Sequence, residues 1–151
     1  MALDDDIRIL SAVELFADFT QEQLRLLAFG AETTVLHAER KLYLEEDEAD
    51  CAYIVISGSI VLYREADENR VPITNAGPGA ILGELALIAD TKRLTSASAA
   101  TDSEVLRLSR KMFRRILEEY PDLAAHLHQR ILEQFQALIE RIEQVAPRFS
   151  A

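Results

Sequence analysis

The chain reads as an α+β protein, helical at both ends, with an antiparallel β structure of many short strands between. Three observations carry that expectation. Hydrophobic spacing is helical up to Gly30. From Thr33 it gives way to short runs rich in Val, Ile, Tyr and Thr, broken by turn residues. After Ser109 it becomes helical again. Many short strands separated by turn signals predict a sandwich or barrel.

In chain order, "IRILSAVELF" predicts a short helix. "FTQEQLRLLAFG" predicts a second, with Thr20 as N-cap, Gln23 completing a capping box and Gly30 as the stop. The strand candidates are "TTVLHAERKLYLEE", "CAYIVIS", "SIVLYREA", "NRVPITNAG", "TSASAAT" and "SEVLRLS", with turns at Gly58, "ADEN" and "GPG". Ser109 then caps "RKMFRRILEEY", and Pro121 opens a longer helix over 122–146 that ends near Pro147. The 151 residues are expected to form a single domain, without repeats or a low-complexity linker.

Composition narrows the function. Sixteen basic residues against 26 acidic ones give a net charge of −10. This disfavours broad contact with nucleic acid or an anionic membrane, where affinity comes from neutralised phosphates. The N-terminus is acidic where a signal peptide needs a basic region, and no apolar run reaches the length of a membrane span. A cytoplasmic protein is expected. Cys51 stands alone, so no intrachain disulfide and no cysteine-based metal site can form. It reads as a small buried hydrophobe, with a redox role the alternative. His37, His126 and His128 do not make a metal set. Without a nucleophile–base pair, no enzyme is expected.

The segment "GELALIADTKR", Gly83 to Arg93, carries the chemistry. Gly77, Gly79 and Gly83 let the backbone turn sharply and approach a ligand. "ELALIA" can form a short helix after Gly83, with free N–H groups at its start. Arg93, returning after the turn, can give a charge-assisted contact to an anion there. Glu84 would repel that anion but accept from a sugar hydroxyl beside it. Two readings stand at this point. Either the pair serves a ligand bearing both phosphate and hydroxyl, or Glu84 and Arg93 pair with each other or face water around an ordinary core segment.

These residues resemble the phosphate-binding cassette of the cyclic nucleotide-binding domain family, the effector fold of catabolite activator protein and protein kinase A regulatory subunits. Gly83, Glu84, Leu85 and Ala86 match its Gly-Glu-Leu-Ala, and Arg93 falls at the cassette arginine's spacing. Asp50, Tyr53, Ile54, Val55, Gly58 and Ile60 resemble the upstream strand pair, and Gly79 the glycine before the cassette. The resemblance covers residues 10 to 145. It implies an eight-stranded antiparallel β-roll, jelly-roll-like, with N-terminal helices, a short cassette helix and a long C-terminal helix. It also implies that Glu84 accepts from the ribose 2′-hydroxyl and that Arg93 neutralises the cyclic phosphate. The Leu85 and Ala86 amides would bind the ligand, and the C-terminal helices would cover the base.

Three departures from the family pattern matter. Lys92 replaces the usual Pro, Leu94 replaces a small or hydroxylated residue after the arginine, and Glu46 replaces a turn glycine. Thr95 and Ser96 follow, so a hydroxyl still reaches the ligand. Leu94, where threonine often accompanies cyclic GMP preference, points to cyclic AMP over cyclic GMP.

No helix-turn-helix follows the long helix, so direct DNA binding is not expected. The chain reads as a complete stand-alone sensor, a piece of something larger being the alternative. Ala124, His128, Ile131, Phe135, Leu138, Ile142 and Val145 form a heptad seam on the last helix. One use of the seam is a homodimer through Ile131, Phe135, Leu138 and Ile142, relaying ligand state to an unidentified partner protein. The other is packing of the helix on its own barrel. The competing function is a scaffold or dimerisation module that keeps the fold with a lost or altered ligand.

Overall fold

A computed structural model describes residues 2–145. Helix α1 (Ala2–Ser11) precedes a single 3-10 turn (Glu14–Phe16) and α2 (Gln21–Phe29). The segment expected as one helix from Ile7 to Phe16 is thus broken. Ala12 and Val13 donate to the carbonyls of Ile9 and Leu10 (both 3.1 Å), tightening the last turn of α1, and Val13 is extended at φ −79°, ψ 122°. The break buries Val13, Leu15 and Phe16 together. The Thr20 capping box forms as expected, with Thr20 Oγ1 accepting from Gln23 N (3.2 Å) and Gln23 Oε1 from Thr20 N (2.9 Å).

The β region contains β1 (Glu32–Leu36), β2 (Lys41–Tyr43), β3 (Glu48–Ala49), β4 (Cys51–Ser57) and β5 (Ile60–Ala66). It continues with β6 (Asn69–Ala76), β7 (Ile81–Leu82), β8 (Thr91–Lys92), β9 (Ser96–Ala99) and β10 (Ser103–Ser109). Eight of these form two four-stranded antiparallel sheets, β1-β10-β4-β7 and β2-β9-β5-β6. The short strands β3 and β8 pair as a separate ribbon, which brings the expected eight-stranded roll to ten strands among the described residues. Gly58, at φ +87°, makes the turn from β4 to β5. A Cβ there would lie 2.5 Å from the Asp102 carbonyl, so glycine is required.

The central strands of the first sheet, β4 and β10, are buried on both faces. Ala52 and Ile54 of β4, with Leu106 and Leu108 of β10, pack against Leu10, Phe16, Leu27 and Phe113 from the helices. Val55 and Val105 face the second sheet, meeting Ile60, Leu62 and Ala97. Burial on both sides explains why "CAYIVIS" reads as a nearly continuous apolar run. Each fully buried side chain of this size contributes ~1.5–3 kcal/mol.

Two helices complete the molecule: α3 (Arg110–Glu119), capped by Ser109 Oγ accepting from Met112 N (3.2 Å), and α4 (Pro121–Gln144). Pro121 occupies the first turn of α4, and residue 146 of the expected helix lies outside the described residues. One residue of the α4 seam is committed to the chain's own core. Ile131, expected between two subunits, is 0% exposed within one chain, in the core with Leu127 and Phe113. Leu138 packs on the second core, and of the large apolar side chains on α4 only Leu132 is exposed. Ile131 is thus covered by its own chain, while Phe135, Leu138 and Ile142 are half-buried. No helix among the described residues is long and apolar enough to cross a membrane.

Candidate functional site

The site forms where β7 ends. Leu82 pairs with Tyr53 of β4, and Gly83 then turns the chain at φ 70°, ψ 30° into a 3-10 turn, Glu84–Leu87. Buried Ala86 and Leu87 fasten that turn to the core. The chain returns through β8, and the pairing extends past it: Arg93 N donates to Asp47 O (2.8 Å) and Glu46 N to Arg93 O (2.9 Å). Glu46 adopts φ +74° at this turn. A glycine would be free of strain there, so the glutamate departure costs ~1 kcal/mol.

Arg93 points inward and is 6% exposed. Its Nη2 donates to the Cys51 carbonyl (2.8 Å) and lies 3.4 Å from the Cys51 Sγ. Its Cζ sits 4.3 Å from the centroid of the Tyr43 ring and 5.8 Å from that of Tyr53. Nη1 is buried and has no hydrogen-bond partner among the described residues. A Cβ on Gly83 would lie 2.1 Å from Nη1, so a larger residue there would displace the guanidinium, and the positive φ itself favours glycine. Such a donor, desolvated and unpaired, costs free energy until an acceptor arrives.

Arg93 and Glu84 face one cavity of about 360 Å³. Leu62, Thr74 and Ala76 of the roll form one wall, and Phe135, Leu138 and Arg141 of α4 lie over it. Arg141 Nη1 reaches Thr74 Oγ1 (3.3 Å), linking helix to roll. Glu84 makes no ion pair with Arg93, whose hydrogen bonds go to Cys51. The alternative in which the two neutralise each other does not hold.

Burial pushes the Glu84 carboxyl up from 4.5 to about 7, opposed by its own backbone N–H. The folded protein therefore holds this proton more tightly than the unfolded chain does. The resulting penalty is absent below pH 4.5, grows as pH rises and is complete above about 7. Glu84→Gln is expected to remove the decline and to be more stable than the native protein at pH 8, by ~2–3 kcal/mol. Melting curves of both proteins from pH 4 to 8 check this.

Seven of the eight expected site residues line the cavity: Gly83, Glu84, Leu85, Ala86, Arg93, Leu94 and Thr95. Ser96 does not. Its hydroxyl accepts from Glu45 N (2.9 Å), a structural bond that holds the turn before β3. The Ala86 amide is also committed, donating to the Gly83 carbonyl (3.1 Å). Leu94 is half-buried on the wall, and Lys92, exposed on the ribbon opposite Glu48, also lines the cavity. Sequence reasoning missed Tyr43, Thr74 and Arg141. Their strands and helix looked ordinary, and only the folded roll brings them to Arg93 or to the cavity. Among the described residues no group of His, Cys, Asp and Glu side chains could hold a metal ion.

The site is thus a cavity of an antiparallel roll, with a buried cation and a half-buried carboxylate, covered by a helix. A family model for the cyclic nucleotide-binding domain matches residues 33–120, and the chain belongs to that family. A cyclic nucleotide-binding-like protein from Brucella abortus is 63% identical. Its structure matches with a TM-score of 0.69, covering 76% of this chain and 99% of its own. The regulatory domain of Toxoplasma gondii protein kinase A, solved with cyclic AMP, is 26% identical with a TM-score of 0.70, covering 76% of this chain and 44% of that one. Human patatin-like phospholipase domain-containing protein 6 is 28% identical over 136 residues, which are 86% of this chain and 10% of that protein. Lysophospholipase nte1 of Aspergillus fumigatus is 24% identical over 136 residues, 89% of this chain and 9% of its own. The chain thus spans about a tenth of the length of these curated relatives.

Proposed function

We propose that this chain binds a cyclic nucleoside monophosphate in the cavity, cyclic AMP in preference to cyclic GMP, and acts as a regulatory module without turning its ligand over. The observation that carries the reading is the Nη1 of Arg93, buried, charged and unpartnered beside Gly83. A cyclic phosphate supplies the missing acceptor and the counter-charge together. Glu84 accepts from the ribose hydroxyl, and the base lies between the roll and Phe135 and Leu138. Because those two side chains belong to α4, the ligand touches the helix directly. A ligand that prefers one placement of α4 shifts the population towards it, which is the proposed signal. The signal is received by a partner protein or another domain.

Leu94 on the cavity wall is the one feature that favours the second reading, a fold that has lost its ligand. A thermal shift series with cyclic AMP, cyclic GMP and 5′-AMP decides between the two. Saturation at a hundred times Kd adds ~2.7 kcal/mol, a rise of roughly 5–10 °C for a chain of this size. The larger rise is expected with cyclic AMP and none with 5′-AMP. A response that appears only in Leu94→Ala supports the second reading.

A further inference from the structure

We propose that Tyr43 is a positioning residue for the anion site. Its ring, and no carboxylate, holds the Arg93 guanidinium in the empty protein, so that the phosphate is the only anion to contact Arg93. The inference rests on the cavity being an anion site.

Arg93 has no carboxylate oxygen within ion-pair distance among the described residues, and acidic side chains of the adjoining segments are engaged elsewhere. Asp50 pairs with Arg107 (3.5 Å) and Asp90 with Arg110 (2.7 Å). Glu45 pairs with Arg64 (3.3 Å) and accepts from Glu65 N (3.0 Å). Glu84 shares the cavity without pairing with Arg93. What touches the guanidinium is neutral: the Tyr43 ring at 4.3 Å, the Cys51 carbonyl at 2.8 Å and the Gly83 backbone. An aromatic face attracts a cation without using its in-plane N–H groups. A carboxylate in the same place would occupy those donors and compete with the ligand's phosphate. The Tyr43 shelf holds Arg93 while leaving Nη1 free.

The shelf is itself held firmly. Tyr43 pairs with Ala97 through β2 and β9. Its ring stacks on Tyr53 with centroids 6.1 Å apart and planes at 26°. The Thr95 side chain is within hydrogen-bonding reach of its hydroxyl. Tyr53 lies in β4, a central strand paired on both sides. Arg93 is thus supported by two strands, β2 through the Tyr43 ring and β4 through the Tyr53 ring and the Cys51 carbonyl.

The test reads Arg93 directly in ¹⁵N-labelled empty protein. The Arg93 Nε–H signal, assigned by its absence in Arg93→Met, is expected upfield-shifted by the ring. Tyr43→Phe keeps the ring and is expected to keep the shift. Tyr43→Leu loses the shift and weakens cyclic AMP binding ~10-fold or more, while Tyr43→Phe stays near native affinity. Tyr43→Met serves as a second ringless variant if Tyr43→Leu does not fold. An unchanged signal in the ringless variants overturns the proposal whatever the binding result, as does loss of affinity in Tyr43→Phe equal to that in Tyr43→Leu. A signal lost with the ring in a native protein that binds no cyclic nucleotide supports the shelf and removes the ligand reading alone.

Discussion

Arg93→Met is expected to abolish cyclic nucleotide binding and, in the same protein, to raise the melting temperature of the empty form. Hydrogen bonds to a charged group contribute ~1.5–3 kcal/mol each. Losing the contacts of Arg93 to a phosphate therefore weakens binding more than a hundredfold, ~3 kcal/mol or more. The gain in stability has a separate cause. In the empty site Arg93 is a cation, 6% exposed, with Nη1 unpartnered and no ion pair among the described residues. Replacing a buried charge with an apolar side chain of similar shape is often stabilising. Methionine fills the space beside Tyr43 and gives up the bond to Cys51, for a net gain of ~1 kcal/mol, or ~2–4 °C. Calorimetric titration and melting of the same sample read both effects. Arg93→Lys keeps the charge without the planar fork and is expected to bind weakly. A variant that both bound normally and melted lower would assign Arg93 to the core alone.

Ile131→Ala is the second large effect, and it addresses what the long helix does. Ile131 is fully buried between the helices and the first sheet. Truncation leaves a cavity and costs ~2–5 kcal/mol, lowering the melting temperature by roughly 5–15 °C. Because the contact lies within one chain, the loss is expected to be the same over a hundredfold range of protein concentration. A side chain buried between subunits would show a loss that varies with concentration. Melting curves at both ends of that range separate the two cases.

Much of the frame was legible because its signals are local. Thr20 with Gln23, Ser109 and Pro121 mark helix starts through groups a few residues apart, and each does so in the structure. Gly83, Glu84 and Arg93 were legible for the same reason, lying within one turn and its return. What failed to show depends on distant pairing. Tyr43 meets Arg93 only because β2 and β4 bring two tyrosines to one side of the roll. Ser96 follows the cassette in sequence, yet its hydroxyl is taken by an amide 51 positions away. The α4 stripe was ambiguous in principle, since one apolar face serves a dimer or the chain's own core equally well. Only the position of the roll settles where Ile131 goes.

A crystal structure of the protein grown with saturating cyclic AMP tests the central claim most directly. The expected result is a nucleotide in the cavity, a phosphate oxygen at hydrogen-bond distance from Arg93 Nη1, and a ribose hydroxyl on Glu84. An empty cavity at saturation, or a nucleotide bound with Arg93 Nη1 still unpartnered, would contradict it.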